Sequence, residues 1–130
     1  MTSTPQTVFV ATSKRFYPEA KLICERLKAA GLQVFHPYFD REQEAIEMNL
    51  ETKAAVTREH FPEIDASDVL YAFLPMGYAG ISVAVEMSYA FAKGKRVVVS
   101  EPPTDGALRA LMSQSIRPEN FIVSISAASQ

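Results

Sequence analysis

The chain has 130 residues, a length typical of a single domain that buries most of its apolar surface without disulfides or metal ions. Hydrophobic residues make up 48% of the chain and charged residues 22%, and the net charge is −2. This is the composition of a soluble globular protein, and its charge argues against nucleic acid and anionic membranes as partners. We therefore expect a small-molecule partner, with no nucleic acid and no membrane.

The start of the chain and its cysteine content indicate the compartment. The first residues, MTSTPQ, are polar and the first apolar run is only as long as a strand, so we expect no secretory signal. The longest apolar region is interrupted by Pro75, Gly77 and Gly80 and is too irregular for a membrane span. Cys24 has no cysteine partner and lies in an apolar-periodic helix, which predicts a buried thiol. We expect a cytoplasmic protein.

The first predicted unit is a strand, a polar loop and a helix. Thr7–Ala11 is apolar and β-branched, which predicts a strand, and a helix is predicted over residues 17–30 with Pro18 in its first turn. The loop between them carries hydroxyl and cationic side chains: Thr12, Ser13, Lys14 and Arg15. Such groups at a helix N-terminus suit a phosphate or a sugar hydroxyl, although the glycine-rich fingerprint of dinucleotide and P-loop sites is missing.

A short strand and a charged helix follow. Gln33–Phe35 predicts the strand, and His36 at its carboxyl end is interpreted as a loop residue. Residues 40–63 are rich in charge and helix formers, with Asp40 in the position of an N-cap, and predict a helix with a solvated face. The last turn of this helix holds His60 and leads back to the next strand.

The middle of the chain, residues 64–101, predicts a strand, a loop, a helix and a strand. These elements cover residues 69–74, 75–80, 81–93 and 96–100 in turn. Glu86 is the single charged side chain between residues 69 and 92. A carboxylate in so apolar a setting loses solvation, and it lies within about two turns of the helix start, where open α/β sheets bind ligands. Glu86 is therefore the leading candidate for a catalytic residue.

The last part of the chain predicts a fourth helix over residues 104–114 and a fifth strand over residues 121–125. The alternation of strands and helices predicts one α/β domain with a doubly wound, five-stranded parallel sheet of order 2-1-3-4-5. In this order the chain reverses direction between strands one and three. The crevice at the reversal is expected to be lined by residues 12–16 and 75–82, with Glu86 on the helix between them.

The segment AGISVAVEMSYAFAKGKRVVV resembles the nucleoside 2-deoxyribosyltransferases and the related nucleoside-monophosphate N-glycosidases. Their hallmark is a glycine-rich turn, a glutamate, a small residue and Tyr-Ala before a Gly-Lys strand. The resemblance extends over nearly the whole chain through VFVATS, IDASDVLYAF and ALMSQSIRPENFI. It implies a Rossmann-like domain in which the glutamate matching Glu86 attacks the anomeric carbon, displaces the base and forms a glycosyl ester. A second base or water then releases the sugar.

The chain departs from the pattern of these transferases at two acids. They usually carry an aspartate six residues before the nucleophile, where this chain has Gly80, and another at the position of His60. A general acid that protonates the departing base raises the reaction rate by about 10²–10⁴-fold. We expect the imidazole of His60 to act as this acid. Without an acid to orient an incoming base, hydrolysis is expected to exceed base exchange. Ala110 stands where a neighbouring subunit's site usually receives Asn or Ser, and Asp68, which matches the family's strand-leading aspartate, is expected to be structural.

Together the residue pattern and the resemblance define a candidate site. Catalytic roles are assigned to Glu86 and His60. Substrate binding is assigned to residues of the two loops and the helix start: Thr12, Ser13, Lys14, Phe16, Gly80 and Ser82. No metal ion and no cofactor is expected. The resemblance implies a homo-oligomer, a dimer or larger, and Leu108, Leu111 and Met112 provide an apolar surface for it.

Three other interpretations compete with this one. A non-catalytic nucleoside- or nucleotide-binding protein on the same fold is favoured by the missing acids, whereas retention of Glu86 favours an enzyme. The cytokinin-activating phosphoribohydrolases carry a PGGxGTxxE turn, but Gly80 lies six residues before Glu86 instead of four. A phosphate-signalling receiver would need an acid at the end of strand one or three, where this chain has Ala11 and Leu74.

Overall fold

The computed structural model describes residues 6–36 and 50–128, which form a five-stranded parallel sheet with helices on both faces. The strands are β1 (Thr7–Ala11), β2 (Gln33–Phe35), β3 (Val69–Ala72), β4 (Arg96–Val99) and β5 (Gln114–Ser115). They pair in parallel in the order β2-β1-β3-β4-β5. The predicted fold class and strand order are confirmed.

Helices connect the strands and close the fold. Within the described residues they are α1 (Tyr17–Ala29), α2 (Leu50–Asp65), α3 (Ile81–Ala92), α4 (Gly106–Arg109) and α5 (Pro118–Ala128). Two short 3₁₀ turns, Lys14–Phe16 and Pro75–Gly77, lie in the loops that leave β1 and β3. The predicted helix start at Asp40 lies outside the described residues.

The inner strands are buried on both faces because their side chains are almost all apolar. Every residue of β1 and β3 is buried. Alternate side chains of a strand point to opposite faces of the sheet. Val10 and Tyr71 therefore join a core with α1 and α5, while Phe9 and Leu70 join a second core with α2 and α3. The apolar runs seen in the sequence produce one core on each side of the sheet.

The prediction of a fifth strand over residues 121–125 is wrong, because these residues lie inside α5 and Gln114–Ser115 forms the strand. A short apolar run does not distinguish a buried strand from a buried helix. Here Phe121 and Ile125, four residues apart, share one helix face and are 0% and 1% exposed. Phe121 stacks on Tyr71, with ring centroids 4.1 Å apart. The packing of Phe121 and Ile125 against the sheet thus stabilises this segment as a helix.

The predicted fourth helix over residues 104–114 is also wrong in length, since α4 is a single turn. Asp105 caps this turn by accepting a hydrogen bond from the amide of Ala107 at 2.9 Å. The amide of Ser113 then donates to the carbonyl oxygen of Val97, and the chain pairs with β4 instead of continuing as a helix. Leu111 and Met112 pack against the core on the α2 and α3 side.

Cys24 and Asp68 both have structural positions in the described fold. Cys24 is 2% exposed, and burial raises the pKa of its thiol to about 12. The amide of Thr7 donates to Oδ2 of Asp68 at 2.8 Å, and the amide of Asp68 donates to the carbonyl oxygen of Thr7. Asp68 thus joins the starts of β1 and β3, a structural role.

No helix within residues 6–36 and 50–128 has the length and apolar character needed to cross a membrane.

Candidate active site

The loops that leave β1 and β3 meet at the carboxyl edge of the sheet, where the chain reverses direction between these adjacent strands. Thr12 donates from Oγ1 to the carbonyl oxygen of Phe73 at 2.9 Å. The amide of Gly80 donates to Oγ of Ser13 at 3.3 Å. These two hydrogen bonds join the loops and hold them around one pocket.

The pocket at this edge has a volume of about 430 Å³. Five of the six predicted substrate-binding residues line it: Thr12, Ser13, Lys14, Gly80 and Ser82. Phe16, the sixth, is 7% exposed and packs edge-on against Tyr78, with ring centroids 6.1 Å apart. Phe16 therefore supports a residue of the wall, and its contact with substrate stays a prediction.

Three residues of the lining lie outside the two segments predicted from the sequence: Tyr17, Lys53 and Val83, which directly follows the second segment. Tyr17 begins α1 directly after the polar loop, and its position beside that loop was a usable signal. Lys53 lies in the charged segment that the sequence predicts to be solvated. No local pattern separates it from the other charged residues there, and only the packing of α2 against α3 brings it to the pocket.

Positive charge surrounds this pocket. Lys14, Arg15 and Lys53 line it, and no acidic residue does so among the described parts of the chain. The guanidinium carbon of Arg15 lies 4.1 Å from the ring centroid of Tyr78, a cation–π contact on the pocket wall. The electrostatics of the pocket therefore favour an anionic ligand.

The start of α3 opens into the same pocket. Gly80 occupies the N-cap position with φ −77° and ψ 176°, and no side-chain hydrogen bond caps the helix. The first turn carries no acidic residue, and its residues Ile81, Ser82 and Val83 line the pocket. The first amides of a helix and the positive end of its dipole attract anions. This feature adds to the charge of the three cations.

Glu86 lies one turn beyond Ser82 on α3 and contacts His60 of α2. Nδ1 of His60 is 2.6 Å from Oε2 of Glu86. The two residues are 7% and 4% exposed. An ionised carboxylate can only accept a hydrogen bond, so Nδ1 carries the proton and donates it when Glu86 is ionised. The isolated carboxylate of the sequence thus has a buried imidazole partner, as the burial of a charge requires.

One aromatic ring and further titratable groups lie near the Glu86–His60 pair. The ring of Phe9 lies edge-on to His60 at 5.6 Å. Burial raises the pKa of Glu63 above its usual range; the charges of His60 and His36 lower it, and those of Glu59 and Glu86 raise it. The groups around Glu86 therefore interact electrostatically with one another.

Glu86 and His60 lie beside the pocket and outside its lining. Val83 is part of the lining and precedes Glu86 by three residues, so both lie on the same side of α3. The structure brings the two predicted catalytic residues together and five of the predicted binding residues together. Along α3, Glu86 follows Ser82 of the pocket lining by about one helical turn.

The loop after β3 is held from the side of β4. Met76 and Gly77 have positive φ angles of 59° and 75°. The amide of Thr104 donates to the carbonyl oxygen of Gly77 at 3.0 Å. A Cβ atom at Gly77 would lie only 2.7 Å from the carbonyl oxygen of Pro102. The segment after β4 therefore packs directly on the backbone of this loop and fixes its path towards Gly80.

These features define a doubly wound α/β domain with a cationic pocket at the reversal point of its sheet and a buried carboxylate–imidazole pair beside it. No protein-family model matches the chain, and no curated protein matches it by sequence. Solved structures do. One is a conserved protein from Enterococcus faecalis V583, with a TM-score of 0.65 and 17% identity over 96% of this chain and 99% of that chain.

Another is a 2-deoxyribosyltransferase from the psychrotolerant bacterium Bacillus psychrosaccharolyticus, with a TM-score of 0.66 and 14% identity. The match covers 92% of this chain and 95% of that chain. At these identities the similarity establishes a shared fold over nearly the full length of both proteins. The resemblance drawn from the sequence is confirmed at the level of the fold.

Proposed function

We propose that this protein cleaves the N-glycosidic bond of a (deoxy)nucleoside or nucleoside 5′-monophosphate, with Glu86 as nucleophile and water as the main acceptor of the sugar. The observation that carries the proposal is the buried Glu86–His60 pair one helical turn from a cationic pocket. A buried carboxylate with an imidazole partner beside a polar pocket suits nucleophilic catalysis. The fold shared with a 2-deoxyribosyltransferase supports the same class of reaction.

The proposed reaction has two displacement steps at the anomeric carbon. In the first, a carboxylate oxygen of Glu86 bonds to this carbon while the bond to the base nitrogen breaks. The electron pair of that bond goes to the base, which takes a proton from a water molecule. The hydroxide left behind is neutralised by the proton released in the second step. In the second, water bonds to the anomeric carbon, the ester bond to Glu86 breaks, and the released proton passes to solvent. Both transition states resemble an oxocarbenium ion, which a nearby carboxylate stabilises.

The expected role of His60 as the acid that protonates the base stays a prediction. Its Nδ1 lies on Oε2 of Glu86, so the proton at this atom faces the nucleophile. The geometry supports an effect of His60 on Glu86 more directly than an effect on the base.

The charge of the pocket supports a 5′-phosphate on the substrate. Lys14, Arg15 and Lys53 lie around the open start of α3, and a phosphate forms charge-assisted hydrogen bonds with such groups. We place the phosphate at this helix start and the sugar towards Val83. In this orientation the anomeric carbon points along α3 towards Glu86.

A second function, nucleotide binding without catalysis, is favoured by one observation. Glu86 is almost fully buried and lies outside the lining of the pocket. A binding protein would use the cations and the helix start and would retain the Glu86–His60 pair only as a contact between α2 and α3.

A panel of donors distinguishes the two functions. The protein is incubated with purine and pyrimidine nucleosides, deoxynucleosides and their 5′-monophosphates, and free base is quantified by chromatography. We expect base release, with kcat/KM about 10- to 100-fold higher for a monophosphate than for its nucleoside, because hydrogen bonds to charged groups contribute on this scale. Lys14→Ala should lower the value for the monophosphate and leave that for the nucleoside nearly unchanged. Calorimetric binding without any base release would favour the second function.

Gly80 should influence whether water or a base accepts the sugar. Gly80→Asp restores the acid that the related transferases carry, and we expect it to raise base exchange relative to hydrolysis by about tenfold or more, since a site that hydrogen-bonds its substrate discriminates strongly. The backbone at Gly80, with φ −77°, accepts any side chain. A Cβ atom there would lie 3.2 Å from Oγ of Ser13, so Ser13 must shift by a few tenths of an ångström.

The measurement for Gly80→Asp is a competition assay. A deoxynucleoside donor is incubated with and without a second free base, and free sugar is compared with new nucleoside. Gly80→Ala is the matched control, because it adds the Cβ atom without the acid. Predominant new nucleoside from the parent protein would contradict the preference for water.

Self-association and cytoplasmic location stay predictions. Of the three apolar residues assigned to a subunit contact, Leu111 and Met112 pack against the core of this chain. Ile81 and Phe91 on α3 are more exposed than these residues. A homo-oligomer would therefore use α3 more readily than the segment around α4.

A further inference from the structure

We propose that His60 is a positioning residue that accelerates the second displacement, the release of the sugar from Glu86, and has little effect on the first. The inference rests on the proposed role of Glu86 as nucleophile. It is carried by the contact between Nδ1 of His60 and Oε2 of Glu86 and by the burial of both side chains.

The contact selects one oxygen of the carboxylate. Nδ1 of His60 engages Oε2. In the proposed reaction, Oε1 is therefore the oxygen that bonds to the sugar. The imidazole is held in place by the edge-on ring of Phe9 and by the packing of α2 against α3. Because both partners are buried, water competes poorly for this hydrogen bond, and its strength follows the charge on Oε2.

In the first displacement, the negative charge on Glu86 changes little between the substrate complex and the transition state. Glu86 is a carboxylate in the substrate complex, and in an oxocarbenium-like transition state its bond to the anomeric carbon is only partly formed. The hydrogen bond from His60 therefore stabilises the starting complex and the transition state almost equally. Equal stabilisation of both states leaves the rate of a step unchanged.

In the second displacement, negative charge returns to Glu86 between the neutral ester and the transition state. The starting state is a neutral ester, whose Oε2 is a carbonyl oxygen and a weaker acceptor than a carboxylate. As water approaches the anomeric carbon, the bond to Oε1 breaks and its electron pair returns to the carboxylate. Oε2 becomes a stronger acceptor as its negative charge returns, so the hydrogen bond from the N–H group of His60 strengthens and lowers the barrier. The proton lost by the attacking water passes to a second water, and His60 keeps its own.

Two substitutions of His60 separate its donor atom from its bulk. His60→Leu removes the donor, and His60→Asn retains an amide N–H near the place of Nδ1. With a donor that the parent cleaves, we expect rapid release of about one base per His60→Leu molecule, followed by turnover about 10- to 100-fold slower than in the parent. The intact mass of this variant, after acid quench during turnover, should show the added sugar. His60→Asn should recover most of the turnover and lose most of the added mass.

Phe61→Leu is the control for a merely structural effect. Phe61 stacks on Tyr89 of α3 at 4.3 Å, so this change disturbs the packing of α2 on α3 away from the pair. It should not accumulate the glycosyl-enzyme. Thermal unfolding of each variant identifies those that are folded. If His60→Leu is unfolded, His60→Phe replaces it as the variant without a donor, because its ring fills nearly the same space.

The outcomes separate this inference from the proposed function. If the parent releases no base from any donor, the nucleophile role of Glu86 fails and the inference fails with it. If the parent is active but the first base is released from the His60 variant without a donor as slowly as later ones, without added mass, His60 acts on the departure of the base and the inference alone is overturned. Equal accumulation in Phe61→Leu would also overturn it.

Discussion

Glu86→Gln is expected to reduce base release by about 10³-fold or more, because an amide cannot form the glycosyl ester that the proposed reaction requires. The change should leave the fold intact. The carbonyl oxygen of glutamine can still accept the hydrogen bond from Nδ1 of His60, and the side chain keeps nearly the same shape. The measurements are the initial rate of base release and the thermal unfolding curve of both proteins.

Glu63→Gln is the matched control for this substitution. Glu63 lies one helical turn from His60 on α2, and its pKa responds to the charges of His60 and Glu86. The control removes one negative charge close to the pair and leaves the pair itself in place. Base release should stay within a few-fold of the parent rate. An unchanged rate in Glu86→Gln would remove Glu86 from the chemistry.

Gly77→Ala is expected to lower the free energy of unfolding by roughly 2–5 kcal/mol. A left-handed conformation costs an alanine about 1–2 kcal/mol, and overpacking adds roughly 1–3 kcal/mol. Overpacking applies here because the new Cβ atom would lie 2.7 Å from the carbonyl oxygen of Pro102 and 2.9 Å from Cγ2 of Thr104. A backbone oxygen cannot turn away as the end of a flexible side chain can. Urea unfolding followed by circular dichroism measures the loss.

Gly94→Ala separates the two contributions. Gly94 has the same φ of 75°, and a Cβ atom there would have nothing within 4 Å. It should therefore lose only the conformational part, about 1–2 kcal/mol. Equal losses in the two variants would show that the contact with the segment after β4 relaxes freely.

We also expect Gly77→Ala to weaken nucleotide binding, since the loop that it distorts leads to Gly80 on the pocket wall.

Much of the fold follows from the sequence because its central strands are continuous apolar runs separated by clear loops. β1 and β2 have the predicted bounds, and β3, α3 and β4 begin where predicted. The errors lie after residue 104. There the apolar residues Phe121 and Ile125 satisfy either a strand or one face of a helix, and only the space over Tyr71 selects the helix.

In the candidate site, too, features set by neighbouring residues and strand order could be predicted from the sequence, whereas contacts between distant helices could not. The loops after β1 and β3 could be assigned to one pocket because strand order places them side by side. His60 and Glu86 could each be noticed in the sequence, but their contact spans 26 positions and depends on how α2 packs on α3. Lys53 reaches the pocket through that same packing, which no sequence pattern in its helix records.

The outer strands of the sheet have a consequence for how copies of this chain can meet. β2 has three residues and β5 has two, and the side chains of Gln33, Gln114 and Ser115 on them are exposed. Long, apolar outer strands recruit further strands from other molecules and promote aggregation, and very short ones resist this. The described edges therefore provide little template for fibril-like growth at high concentration.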